Sequence, residues 1–170
     1  MTEPGRRILV IGLGNPLMAD DGAGLAALDL LARTWQLPDS VELLDGGTWG
    51  MNLLPTIEAA DTVLLLDAIH TGGPPGAPVE LEGPEIPAIL RHKLSPHQID
   101  LGEVLALAAL RGTLPERLVA TGVEPAELTM RTALSAPVAA ALPGMVARAV
   151  ARLQGYGVPA IPAEPAACTS

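Results

Sequence analysis

Ile8-Leu-Val-Ile-Gly-Leu-Gly-Asn-Pro-Leu-Met-Ala-Asp-Asp-Gly22 begins as a short, unbroken apolar run that ends in glycine. Such a run suits a strand buried on both faces, as in a parallel sheet covered by helices. Asn15-Pro16 turns the chain. A helical pattern then runs from Gly22 to Trp35, with Leu25, Leu28, Leu31 and Trp35 on one stripe. Strand, glycine turn and helix in that order predict a βα unit. In open sheets built from such units, ligands bind in the crevice beyond the carboxyl ends of the strands. Asp21, near the end of the quoted stretch, falls at that crevice.

Working outward, Val41–Asp45 reads as a second strand, Asp61–Asp67 as a third, Val79–Leu81 as a short one and Arg117–Val123 as the last. Helices are expected near Met51–Ala60, over part of 84–92, and over Ile99–Arg111 with Leu101, Val104, Leu105, Ala108 and Leu110 as its core side. Ser135 caps a C-terminal helix reaching Leu153, with Pro137 in its first turn and a kink at Pro143. The alternation predicts an α/β fold: a single doubly wound, mostly parallel β-sheet with helices on both faces. One domain covers residues 1–160. Residues 161–170 form a flexible Pro/Ala-rich tail, and the chain is loosely held from Gly157 on.

Composition narrows the function classes. The 170 residues are 49% hydrophobic and 17% charged, which excludes disorder over most of the chain. Phe is absent, so Leu, Val, Ile, Ala and Met must build the core. A formal charge of −9 repels a phosphate backbone and argues against nucleic acid as a partner. The lone Cys168 permits no disulfide framework and fits a reducing compartment. Ala133–Val150 is the nearest approach to a membrane span, but Ser135, Pro137, Pro143, Gly144 and Arg148 interrupt it. Arg6-Arg7 before Ile8 reads as a lead-in to the first strand rather than a twin-arginine signal. The expectation is a soluble cytoplasmic protein, monomeric and not membrane-bound.

Three residues stand out at strand ends or in nearby turns. Asp67 closes Val63-Leu-Leu-Leu-Asp67, where a carboxylate directly after four apolar strand residues needs partners. His97 lies in the Ser95-Pro-His-Gln98 turn leading into a helix. With Asp21 these make two carboxylates and an imidazole, a three-ligand metal site with open positions suited to nickel or zinc. Asp20 is assigned helix capping or support of the site and Asp21 ligation, although spacing alone does not separate the two. His70, three residues after Asp67, is the second choice of ligand, and His92 between Arg91 and Lys93 reads as surface. Gly12-x-Gly14 is a weak dinucleotide match: Leu17 stands where a third glycine should be, and Asp20-Asp21 would face the pyrophosphate. No nucleophile elbow surrounds Ser95, and Cys168 has no positioned base.

Five motifs taken together, over residues 7–160, resemble the maturation endopeptidases of nickel–iron hydrogenases. They are Gly12-Leu-Gly-Asn-Pro-Leu-Met-Ala-Asp-Asp-Gly-Ala-Gly24, Asp45-Gly-Gly-Thr48, Asp67-Ala-Ile69, Ser95-Pro-His-Gln98 and Gly122-Val-Glu-Pro125. The resemblance implies a doubly wound α/β domain that cuts a C-terminal extension from the hydrogenase large-subunit precursor once nickel is inserted. It implies that Asp21, Asp67 and His97 recognise nickel carried by that precursor and serve catalysis, and that Asp45-Gly-Gly-Thr48 helps to position substrate. Peptidyl-tRNA hydrolases share a Gly-Leu-Gly-Asn-Pro opening. They continue toward a catalytic histidine where this chain has Leu17-Met-Ala-Asp-Asp21, and the acidic balance opposes tRNA. The competing reading from another class is a nickel-binding chaperone that holds the precursor without cutting it.

Overall fold

The computed structural model describes residues 6–47, 49–90 and 101–164. Along the chain come β1 (Ile8–Leu13), a 3-10 turn (Ala19–Gly22), α1 (Ala23–Thr34), β2 (Trp35–Gln36) and β3 (Val41–Gly47). A 3-10 turn at Gly50–Leu53 leads into α2 (Leu54–Glu58), followed by β4 (Thr62–Ala68) and β5 (Pro78–Glu82). Gly83–Glu85 leads into α3 (Ile86–Leu90), and then α4 (Leu101–Leu110), β6 (Arg117–Val123), α5 (Ala136–Gly155) and β7 (Ile161–Pro162) complete the described chain.

The sheet order is β3-β1-β4-β6-β5. β1 pairs in parallel with β3 and β4, and β4 pairs in parallel with β6. Only the edge strand β5 runs antiparallel, against β6. The fold is thus the doubly wound, mostly parallel α/β sheet that the apolar runs predict. β1 and β4 are buried at every position because both their faces are covered. On one face Val10, Leu64, Leu66 and Val119 pack under α1 and α5; on the other Leu9, Ile11, Leu65 and Ala120 pack under α2, α3 and α4. Each of the Leu, Ile and Val side chains contributes roughly 1.5–3 kcal/mol when withdrawn from water. From β1 the chain first moves to β3 on one side and then returns past β1 to β4 and β6. The reversal opens a crevice between the carboxyl ends of β1 and β4.

Several details differ from the sequence reading. In α1 the buried stripe is Ala23, Gly24, Ala27, Leu28 and Leu31, whereas Leu25 is half-buried and Trp35 has left the helix for β2. Small residues let α1 approach closely: a Cβ on Gly24 would lie 2.1 Å from the Leu66 carbonyl oxygen. Leu110 is 86% exposed rather than core. Nine residues from Leu101, it faces the opposite side of α4. Ser135 occupies the N-cap position of α5, but its side chain makes no capping bond. From Val158 to Ala163 the chain is held: Val158 and Ala160 are buried, β7 pairs antiparallel with β2, and the Ala163 N–H donates to the Thr34 carbonyl at 2.8 Å.

α5 has the length and hydropathy of a membrane span. In the fold its Val138, Met145, Ala149 and Leu153 are buried against the sheet and α1. Its Arg148 pairs with Glu80 of β5 at 3.1 Å, and Arg152 pairs with Glu80 and Glu82.

Candidate active site at the strand ends

The turn after β1 is built around Asp21. Gly14 has φ +110, and a Cβ there would fall 1.7 Å from the Asp21 carbonyl oxygen, so no side chain fits where the turn crosses over itself. The Asn15 N–H then donates to Asp21 Oδ2 at 2.8 Å, and the Asp21 N–H donates to the Met18 carbonyl at 3.1 Å. The Asn15 side chain accepts from the Leu17 N–H at 3.0 Å, closing an Asx turn. These bonds fix a half-buried carboxylate at the crevice mouth.

Asp67 is the penultimate residue of β4, only 2% exposed, and sits opposite Gly122 of β6. The 3-10 turn that carries Asp21 packs on β4. Three residues after Asp21, Gly24 lies against the carbonyls of both Leu13 and Leu66, the latter preceding Asp67. The structure therefore sets Asp67 near the end of β4 and Asp21 on the 3-10 turn that follows β1, and β1 and β4 are the two strands that flank the reversal. His97, with Ser95, His92 and Thr48, lies outside the described residues, as does Cys168. Among the described residues no three His, Cys, Asp or Glu side chains gather as a metal-holding group.

Asp20 points elsewhere. It is fully buried and makes no capping bond to the turn or to α1. Its Oδ2 accepts from the N–H groups of Ala126 and Glu127 at 2.8 and 2.9 Å and from the Ser135 hydroxyl at 2.8 Å. Its Oδ1 accepts from the Ser135 N–H at 2.7 Å. Burial pushes this carboxyl up, but the bonds from Ser135, Ala126 and Glu127 together outweigh it and hold the group below its ordinary value. The capping reading of Asp20 is thus replaced: the residue ties the β1 turn to the loop after β6 and to the start of α5.

Glu124 forms a second buried carboxylate centre; the sequence places it within the Gly122-Val-Glu-Pro125 motif without marking a role for it, although it follows the apolar strand β6 much as Asp67 ends β4. It is 1% exposed and accepts from the Thr71 N–H at 2.9 Å, the Thr71 hydroxyl at 2.8 Å and the Gly72 N–H at 3.2 Å. His70 Nδ1 lies 2.6 Å from Glu124 Oε1. Burial again opposes ionisation, and the Thr71, Gly72 and His70 bonds prevail, lowering the carboxyl below its usual range. The second-choice ligand is thus engaged by Glu124. At the end of β3, Asp45 is exposed, Gly47 has φ +42, and the Gly47 carbonyl accepts the Gly14 N–H at 3.2 Å.

Comparison with known proteins places this geometry in context. The family profile described as hydrogenase maturation protease matches residues 26–152. The hydrogenase 2 maturation protease of Escherichia coli is 38% identical over 159 residues, covering 93% of this chain and 97% of that protein. The hydrogenase expression/formation protein HupD of Thiocapsa roseopersicina is 45% identical over 122 residues, covering 71% of this chain and 55% of that protein. The solved structure of the hydrogenase maturating endopeptidase HybD from E. coli superposes with a TM-score of 0.86 over 92% of this chain and 97% of that one. The chain therefore belongs to the hydrogenase maturation protease family and is a peptide-bond hydrolase of hydrogenase maturation.

Proposed function

We propose that this enzyme removes the C-terminal extension of a nickel–iron hydrogenase large-subunit precursor after nickel insertion, and that Asp21, Asp67 and His97 contact the nickel carried by that substrate. The observation that supports this most directly is the placement of Asp67 near the end of β4 and of Asp21 on the 3-10 turn that follows β1; β1 and β4 are the two strands beside the reversal of the sheet. Oxygen donors from both sides of that crevice, completed by one imidazole, suit a borderline divalent ion that arrives with open positions. Nickel in the precursor would supply Lewis acidity toward the scissile carbonyl or an attacking water. Asp21, anchored by the Asn15 N–H, is the candidate base that takes the proton from that water.

The test is the intact mass of a nickel-loaded precursor incubated with the enzyme, beside a nickel-free control. Loss of the extension only in the loaded sample is expected. Asp67→Asn should slow that loss by roughly 100-fold or more, the range in which proton-transfer and charge-stabilising groups act. Cleavage of both samples alike would remove nickel gating, and wild-type turnover by Asp67→Asn would remove Asp67 from the site. A stable complex with unchanged mass would instead favour the chaperone reading.

A further inference from the structure

Six large apolar side chains stand exposed among the described residues: Leu17, Trp49, Leu110, Leu128, Met130 and Ile161. Scattered singly, such residues are ordinary. Here four of the six, Leu17, Trp49, Leu128 and Met130, lie on the segments that leave the carboxyl ends of β1, β3 and β6. That is the end of the sheet where Asp21 and Asp67 sit. Leu110 instead precedes the amino end of β6, and Ile161 lies on the β2–β7 pair.

The backbone fastens these segments together. The Arg131 N–H donates to the Leu17 carbonyl at 2.8 Å and the Ala19 N–H to the Arg131 carbonyl at 2.6 Å, so Met18 and Arg131 form a parallel bridge with Leu17 and Met130 beside it. Ala19 takes φ +48 to make that bridge, a left-handed conformation a non-glycine residue adopts only when its surroundings impose it. Asp20 adds its bonds to Ala126 and Glu127, and the Asp20 N–H donates to the Glu127 carbonyl at 3.1 Å. On the other side the Gly14–Gly47 bond ties the Trp49 segment to the same turn.

We propose that Leu17, Trp49, Leu128 and Met130 form a docking rim for an apolar segment of the large-subunit precursor, seating it against the crevice that holds Asp21 and Asp67. This rests on the reading of that crevice as the processing site. Continuity favours this occupant, since Leu17 lies four residues from Asp21 on the same turn. Charge favours it too: a chain of net charge −9 repels both anionic lipid and a second copy of itself. A few anchor side chains buried on association, Trp prominent among them, carry most of the binding energy in protein recognition.

The experiment compares wild type, the double variant Leu17→Ser/Met130→Ser and the control Leu110→Ser. It measures Kd for nickel-loaded precursor by calorimetry, KM and kcat by intact mass, and self-association by sedimentation. Leu17 and Met130 are 59% and 88% exposed, so the double variant should fold with an unchanged melting temperature. Kd and KM should rise roughly tenfold or more, the worth of one buried apolar side chain, with kcat at saturation retained. The control should bind like wild type. Equal Kd for wild type and the double variant overturns the rim, as does an equal loss in the control or no binding of precursor by wild type. A wild-type dimer that the double variant dissolves would assign the face to a second copy instead. Binding weakened by the double variant without cleavage by any form would keep the rim and reject the endopeptidase reading alone.

Discussion

Adjacent aspartates in Ala19-Asp-Asp-Gly22 have different tasks because their carboxylates meet different donors. Asp21 turns toward the Asn15 N–H at the crevice mouth, while Asp20 turns inward to four donors from Ala126, Glu127 and Ser135. Removing the inner carboxylate would strand those donors in a buried site. Asp20→Ala should therefore cost roughly 2–4 kcal/mol of unfolding free energy near neutral pH, read from urea melts. The pH dependence has a definite sign. The folded carboxyl lies below its ordinary value of 3.8, so the unfolded chain takes up the proton more readily. Its stabilisation is present above about pH 4 and is lost as pH falls through the folded value. Wild type should lose more stability than Asp20→Ala between about pH 5 and about pH 2; parallel acid limbs would count against this account. The sequence marks the pair as unusual, but which aspartate turns inward depends on Ser135, more than a hundred residues away.

Elements show the same division between period and phase. Periodicity locates α4, and its Leu101, Val104, Leu105 and Ala108 are buried as that period requires. Leu110 is equally apolar yet faces out, because nine residues beyond Leu101 the helix has turned to its opposite side. Leu110→Ser should change stability by no more than about 0.5 kcal/mol, whereas Leu105→Ala, a buried truncation, should cost about 2–5 kcal/mol. Paired thermal melts decide it, and a large loss from Leu110→Ser would mean that α4 packs differently. Ser135 and Pro137 mark the start of α5 correctly, since proline suits the first turn. The hydroxyl expected to cap the helix binds Asp20 instead, a choice that only the approach of the β1 turn creates.

At the scale of the molecule, one sheet brings together residues that are far apart along the chain. β2, which follows α1, pairs with β7 as a separate two-stranded sheet, while the candidate site lies at the carboxyl ends of β1 and β4. Ending the chain after Ala160 removes that pairing and the Ala163–Thr34 bond. The expected cost is about 1–3 kcal/mol from two or three lost backbone bonds, with cleavage of loaded precursor retained. Loss of turnover at unchanged stability would show that the strap reaches the site. The strands and their parallel pairing could be read from apolar runs, because double-sided burial writes itself directly into composition. Asp21 and Asp67 could be read as site candidates, because the carboxyl ends of such strands converge wherever a doubly wound sheet forms. The sequence by itself therefore determined the fold class and the positions at which chemistry could sit. Only the tertiary structure decided that Asp20 and Glu124 are buried clamps, that His70 is engaged by Glu124 and that Leu17, Trp49, Leu128 and Met130 stand exposed on segments leaving the carboxyl ends of the strands. Those outcomes depend on which distant backbone donors and side chains meet across the sheet, and a linear pattern of residues does not encode that meeting.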